Sequence, residues 1–205
     1  MARHDQPEQR FLFIGNHPCL DFLNTQIAQN GQPVDLLDTF SDLIMWLMQA
    51  HLLDREEAKK AERKWGGQPE GIRILDQARE FRTMLREMVE RIAAGKPVPQ
   101  AALEAINGRL RDRVGYPQLI RRSGKFEREF QVESQEANQL LGLLAESASN
   151  LLCTCELSLI KQCQNPVCVL FFYDTTKNHA RHWCSMSVCG NRIKVAAHYR
   201  RKRNG

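Results

Sequence analysis

Long apolar runs are missing from this 205-residue chain. The richest stretch, around residues 140–152, is broken by Glu146 and several small polar residues, so no membrane span is expected. An export signal is missing as well. Residues 1–10 are polar and charged, with no apolar run behind them, and the cytoplasm is the expected compartment. No glycine-rich phosphate loop of either common type occurs, nor a nucleophile elbow, nor an HExxH pair. Those absences remove the commonest nucleotide-binding, hydrolase and metalloprotease chemistries, and no enzymatic activity is expected. Internal repeats and low-complexity tracts are absent. Acid is nearly absent from the C-terminal end: from Lys161 to Gly205, Asp174 is the single acidic residue.

What is present begins with cysteine. Seven cysteines is an odd number, which suits a reducing compartment better than a disulfide scaffold. Four of them form two pairs of equal spacing, Cys163 with Cys168 and Cys184 with Cys189. Each pair closes a tight loop that aims two sulfurs at one point, and the fifteen residues between the pairs can return as a small hairpin. That is the pattern of a tetrahedral four-thiolate zinc site, with two disulfides as the alternative. Such a site has no open position for water, so the ion is expected to be structural, one Zn2+ per chain. Pro166 stiffens the first loop, and Gly190 is expected to let backbone approach the sulfurs closely. His179 and His182 lie between the pairs and rank as bystanders. Cys153 with Cys155 offers a redox pair and Cys19 beside His17 a nucleophile–base pair, but structural cysteines are the better reading of both.

Charge adds a second pattern. The last 45 residues hold nine Lys or Arg against one acid, a net +8. The whole chain carries +5, so residues 1–160 carry −3. A mildly acidic body with a strongly basic zinc module is the electrostatic pattern of a nucleic-acid binder. The candidate phosphate contacts are Lys177, Arg181, Arg192, Lys194, Arg200, Arg201, Lys202 and Arg203. A solvated basic end without a partner is the plainer alternative. Lys177 and Arg181 have a second available role, offsetting the charge of four thiolates. Arg192 could equally bond knuckle carbonyls.

These residues carry a resemblance. Cys163, Asn165, Pro166, Cys168, Phe171, Asp174, Lys177, Asn178, Arg181, Trp183, Cys184, Ser185, Met186, the Cys189-Gly190-Asn191-Arg192 run, Lys194, Tyr199, Arg200 and Arg203 resemble the CGNR zinc finger. The likeness covers about forty residues. In that family the finger closes a chain that starts with an ABATE domain, described in stress-induced transcription regulators. Asp21, Phe22, Asn24 and Thr25 are similar to the opening of that domain. The resemblance implies zinc binding and DNA binding. It supplies no operator, effector or direction of regulation.

Taken in order, residues 11–14 are a short apolar run ended by Gly15 and Asn16, a strand or a core-inserted segment. Pro18 suits a first helical turn, with Leu20, Leu23 and Ile27 on one face. Asp21 and Asn24 share a side of that helix. With Thr25 they either satisfy loop backbone groups or line a ligand pocket. Residues 29–37 read as a loop. Helices are expected over 39–53, from 54 to about 64 behind an Asp54/Glu57 capping box, over 71–94, and from Pro99 until Gly115. Residues 119–132 read as a β-hairpin turning at Ser123 and Gly124 and packed on the helices. A helix from about 134 to 155 follows, then a packed connection into the finger. Inside the finger, 169–173 is a strand, Phe171 and Trp183 form a tiny core, and a helix begins near Cys189, a treble-clef-like order.

The fold class expected is mainly α with a small β-hairpin: a helical body over residues 8–158 and a treble-clef-like finger over 159–205. The expected partner is DNA. RNA or protein binding by the finger, on a body that binds a small molecule or is an enzyme, is the alternative. A homodimer and an unidentified small-molecule effector are open partners of the body.

Overall fold

A computed structural model describes residues 10–29, 31–133 and 136–191. Six helices carry the fold: α1 (Pro18–Leu23), α2 (Phe40–Gln49), α3 (Arg55–Trp65), α4 (Pro69–Ala93), α5 (Gln100–Leu110) and α6 (Gln139–Thr154). Three antiparallel strand pairs accompany them: β1 (Gln26–Gln29) with β2 (Gln32–Asp35), β3 (Gly115–Arg122) with β4 (Lys125–Val132), and β5 (Ile160–Gln162) with β6 (Phe171–Tyr173). The mainly helical body and the small β region at the C-terminal end are as expected. Among the described residues, no helix is long and apolar enough to cross a membrane.

Local chemistry explains most boundaries. Thr39 and Asp42 form a reciprocal capping box on α2, and Asp54 and Glu57 form another on α3. Pro69 opens α4, where its missing N–H is no loss, and Gly95 at φ +67° ends the segment beyond it. α4 runs 25 residues and buries Ile74, Ala78, Phe81, Leu85, Met88 and Ile92. It is the strut against which α1, α2, α5, α6 and β5 pack. Trp46 sits at the centre, fully buried, with the ring of Phe22 at 5.2 Å and that of Phe13 at 6.4 Å.

Three expectations need correcting. Residues 29–37 are largely a strand pair and not a loop; Arg82 of α4 grips Asp35 of β2 and holds it against the body. Residues 11–14, by contrast, take the second of the two forms expected of them: they form no strand, and Phe11 inserts fully into the core. Gly115 does not stop a helix. It is paired in β3, where a Cβ would lie 2.2 Å from the Gln131 carbonyl oxygen. Finally, the β3–β4 hairpin is not packed down on the helices. Phe126 and Leu119 are 69% and 70% exposed, and only the end near Phe130 and Val132 lines a groove against α3 and α6. α6 itself starts at Gln139, later than expected.

Candidate metal centre

The sulfurs of Cys163, Cys168, Cys184 and Cys189 lie within 4.8 Å of one another. Cys168 Sγ is 3.8 Å from Cys184 Sγ, and Cys184 Sγ is 3.5 Å from Cys189 Sγ. A tetrahedral Zn–S distance of about 2.3 Å implies sulfur–sulfur edges of about 3.8 Å, so the cluster has the size of one Zn2+. None of the four is in a disulfide. The donor set, its spacing and its burial fit one structural zinc. Among the described residues, this is the group of His, Cys, Asp and Glu ligands close enough to hold a metal. His179 and His182 stand outside it, as expected. His179 Nδ1 lies 3.2 Å from the Asp174 carbonyl oxygen, and His182 is exposed.

Short-range backbone bonds build the cage. The Cys163 N–H donates to the Leu170 carbonyl at 2.9 Å, and the Cys168 N–H to the Asn165 carbonyl at 2.8 Å, which closes the first knuckle. Asn165 is buried; its side-chain oxygen accepts from Val167 N–H, and its amide donates to Cys189 Sγ at 3.3 Å. One wide helical turn, Met186–Gly190, presents the last ligand. Cys189 therefore lies inside that turn and not at a helix start. Its N–H is taken by the Ser185 carbonyl, and the amide of Asn165 takes the place of a helix end as donor to the sulfur. Gly190 serves a different neighbour than expected: a Cβ there would meet the Met186 and Trp183 side chains.

Four thiols this close cannot all ionise without a cation among them. The Cys184 thiol is pushed up by its contacts with the sulfurs of Cys163 and Cys168, and then by burial. The Cys163 thiol is pushed down because it accepts from Cys168 and Cys184. A divalent ion resolves that conflict by replacing the shared protons. Arg181 supplies fixed positive charge nearby. Its guanidinium donates to the carbonyls of Trp183 at 3.0 Å, Ile14 at 2.9 Å and Cys184, and it lies 4.1 Å from the centroid of the Phe172 ring. Burial lowers its pKa, while Cys184, Asp174 and Cys163 act the other way.

Asp174, fully buried, organises the finger's turn. Burial alone would raise its pKa, but bonds from Lys161 Nζ at 2.7 Å, Thr176 and the Arg181 N–H hold its carboxyl well below the ordinary range. Lys177 is exposed on the far side of that turn. Arg181 is half-buried, with its Nε and Nη2 bonded to carbonyls. Arg192, Lys194, Arg200, Arg201, Lys202 and Arg203 lie outside the described residues, as does most of the helix expected after Cys189.

Asp21, Asn24 and Thr25 are brought together, and all three are buried. Asn24 is fully buried and bonds both backbone groups of Phe171: its amide donates to the carbonyl and its oxygen accepts the N–H, each at 2.9 Å. Thr25 Oγ1 donates to the Phe22 carbonyl and accepts from Arg82. Asp21 accepts the Gly15 N–H at 2.7 Å, and burial pushes its carboxyl up to about 6. These bonds are those the loop-backbone expectation describes: the three groups satisfy backbone that would otherwise be buried unpaired. Phe171 follows the same logic. It was expected in a finger core, yet it is fully buried in the body's core, with the Arg86 guanidinium 5.5 Å from its ring.

Sequence reasoning missed Arg82 and Arg86. Arg86 donates to the Val169 carbonyl at 2.9 Å and to Leu23 at 2.6 Å, tying finger to helix α1. The signal was present, because both arginines fall beside Leu85 and Val89 on the apolar side of α4, four residues apart.

A search of curated proteins finds no match to the chain. Two family models do match. The CGNR zinc finger model covers residues 160–202. The ABATE model, described as "Putative stress-induced transcription regulator", covers residues 16–154. That span is more than half of the 205 residues, so the chain belongs to the ABATE family, and a CGNR zinc finger follows its ABATE domain.

Proposed function

We propose that this chain is a DNA-binding transcription regulator acting in the cytoplasm. Its body spans residues 8–158, and its zinc finger, residues 159–205, delivers the basic segment to phosphate. The observation that carries the reading is a four-sulfur centre fixed to the body by buried bonds, with six cations following in sequence at Arg192, Lys194, Arg200, Arg201, Lys202 and Arg203. A cationic segment launched from a fixed point loses less orientational freedom on docking than one launched from a loose linker. Lys177, exposed on the finger's turn, joins that set; Arg181 adds fixed positive charge beside the sulfurs, with its Nε and Nη2 bonded to carbonyls. No acid follows Asp174, so nothing in that stretch offsets the attraction to a polyanion. The zinc has a structural role, and the reading assigns no catalysis.

The test is fluorescence anisotropy of the zinc-loaded full chain on duplex DNA across a salt series. Each phosphate neutralised contributes about −0.9 to the log–log slope, so a slope near −4 to −6 is expected. Replacing Arg200, Arg201, Lys202 and Arg203 together by Ala should flatten it by roughly 3 to 4. Binding without salt dependence overturns the reading. Preference for structured RNA over duplex at equal salt moves the function to RNA.

A further inference from the structure

The β3–β4 hairpin is the largest feature that the metal centre does not use. Ser123 at φ +50° and Gly124 at φ +83° form its two-residue turn, the geometry that matches the twist of a tight hairpin. Counting from that turn, Arg122 and Lys125 are the first hydrogen-bonded pair, and the pairs then alternate. Pro117 opposite Phe130 falls on a non-bonded position, so its missing N–H faces the free edge of β3. A proline there guards the edge against another strand.

The two faces differ in charge. One carries Leu119, Arg121, Phe126, Arg128 and Phe130, and no acid. The opposite face holds both acids, Glu127 and Glu129, and Arg122 reaches each of them, at 3.9 Å and 3.5 Å. The acids are thus held on the other face, together with Arg122 and Lys125. Toward the tip that first face hangs clear of the helices: Leu119 and Phe126 are 70% and 69% exposed, and Arg121 and Arg128 are exposed as well. The Arg121 guanidinium lies 5.6 Å from the centroid of the Phe126 ring, so cation and aromatic are presented as one surface.

We infer that this hairpin is a second nucleic-acid contact, an arm that enters a groove of duplex DNA. The inference rests on the DNA-binding reading above and adds a site to it. The occupant follows from the charge pattern. A second copy set face to face would bring four arginines together with no acid between them. A purely apolar protein partner would leave Arg121 and Arg128 unanswered. Duplex DNA answers both features. A two-stranded antiparallel ribbon fits the major groove, and apolar side chains such as Phe and Leu also wedge between base steps from the minor groove. Eight residues per strand at about 3.3 Å each give an arm of roughly 26 Å, long enough to follow a groove across several base pairs.

The experiment compares three zinc-loaded full-length proteins on one duplex across a salt series: wild type, the Arg121→Ala/Arg128→Ala double variant, and Leu119→Ser/Phe126→Ser. All four side chains are exposed, so zinc content and urea midpoint should match wild type. The double variant should flatten the log–log slope by about 2, one phosphate per cation. The apolar variant should bind more weakly with the slope unchanged, a split that a merely scaffolding hairpin would not produce. Amide exchange of wild type should slow across residues 115–132 when DNA is added. Unchanged slopes, affinities and exchange, together with loss of binding on replacing Arg200 to Arg203, leave DNA binding intact and overturn the arm. No DNA binding by wild type overturns both. A concentration-dependent dimer that Phe126→Ser dissolves, with DNA affinity untouched, makes the face a self-contact and overturns the arm.

Discussion

Asp21 holds a carboxylate under the Gly15 loop, and its pKa rises from 3.8 to about 6 because burial disfavours the charged form. The sign of the linkage follows. Below about pH 4 both folded and unfolded states hold the proton, and the group costs nothing. Between about pH 4 and 6 the unfolded chain releases it while the folded chain keeps it, so stability falls as pH rises, and then levels off. A shift of this size corresponds to roughly 3 kcal/mol at most. Asp21→Asn removes the titration and keeps an oxygen for the Gly15 N–H. The stability of wild type relative to Asp21→Asn should therefore decline by up to about 3 kcal/mol between pH 4 and 7, read from urea midpoints. Parallel curves would contradict the burial argument. Asn24 is the second decisive residue. Asn24→Ala strands the N–H and C=O of Phe171 in a dry interior, and about 2–4 kcal/mol of destabilisation is expected from two unmade bonds. Asn24→Asp should not rescue it, because a carboxylate cannot donate to the carbonyl.

At the scale of elements, strand β6 belongs to two structures at once. Phe172 points into the small cluster around the cysteines with Leu170, while Phe171 points into the helical core. Alternation of side chains along a strand makes this division unavoidable. β5 behaves alike, since Ile160 is buried in the body's core while Cys163, one residue past the strand, is a ligand. Among the described residues, the finger's strand pair is therefore also the seam with the body. Cys184→Ser should leave about 0 zinc per chain against about 1 for wild type, measured by elemental analysis of the purified proteins. Its near-ultraviolet circular dichroism should lose the signal of Trp183, which packs on that cluster.

At the scale of the whole molecule, body and finger are joined by side-chain to backbone bonds in both directions. Asn24 and Arg86 reach from the body to residues 169–171, and Arg181 reaches back from the finger to the Ile14 carbonyl. Chelation of zinc should consequently weaken the helices as well as the finger. Thermal unfolding followed at the helical wavelength is expected to shift down by several degrees on metal removal, since each kcal/mol lost moves a chain of this size by about 2–4 °C. A helical transition indifferent to chelator would mean two independent units. The same coupling gives the proposed regulator a route from body to DNA: a change in the packing of α1 or α4 alters where the basic segment begins.

The sequence alone determined the metal centre and most helices, because both are short-range. Cys163 with Cys168, and Cys184 with Cys189, are five residues apart, so local loops bring each pair together whatever the rest of the chain does. Thr39 with Asp42, and Asp54 with Glu57, cap their helices three residues away. Residues 26–35 were harder to read, since β1 and β2 owe their position partly to Arg82, 47 residues from Asp35. Only the tertiary structure decided what the buried polar groups do. Asn24 and Phe171 are 147 residues apart, and Arg181 and Ile14 are 167 apart. A polar side chain declares in sequence that it needs a partner, but the distant backbone that folding delivers to it decides whether it clamps, binds or stays in water. The exposure of the β3–β4 arm was equally hidden: its apolar alternation is the pattern of a packed strand, and only the missing helix above it shows that the face is open.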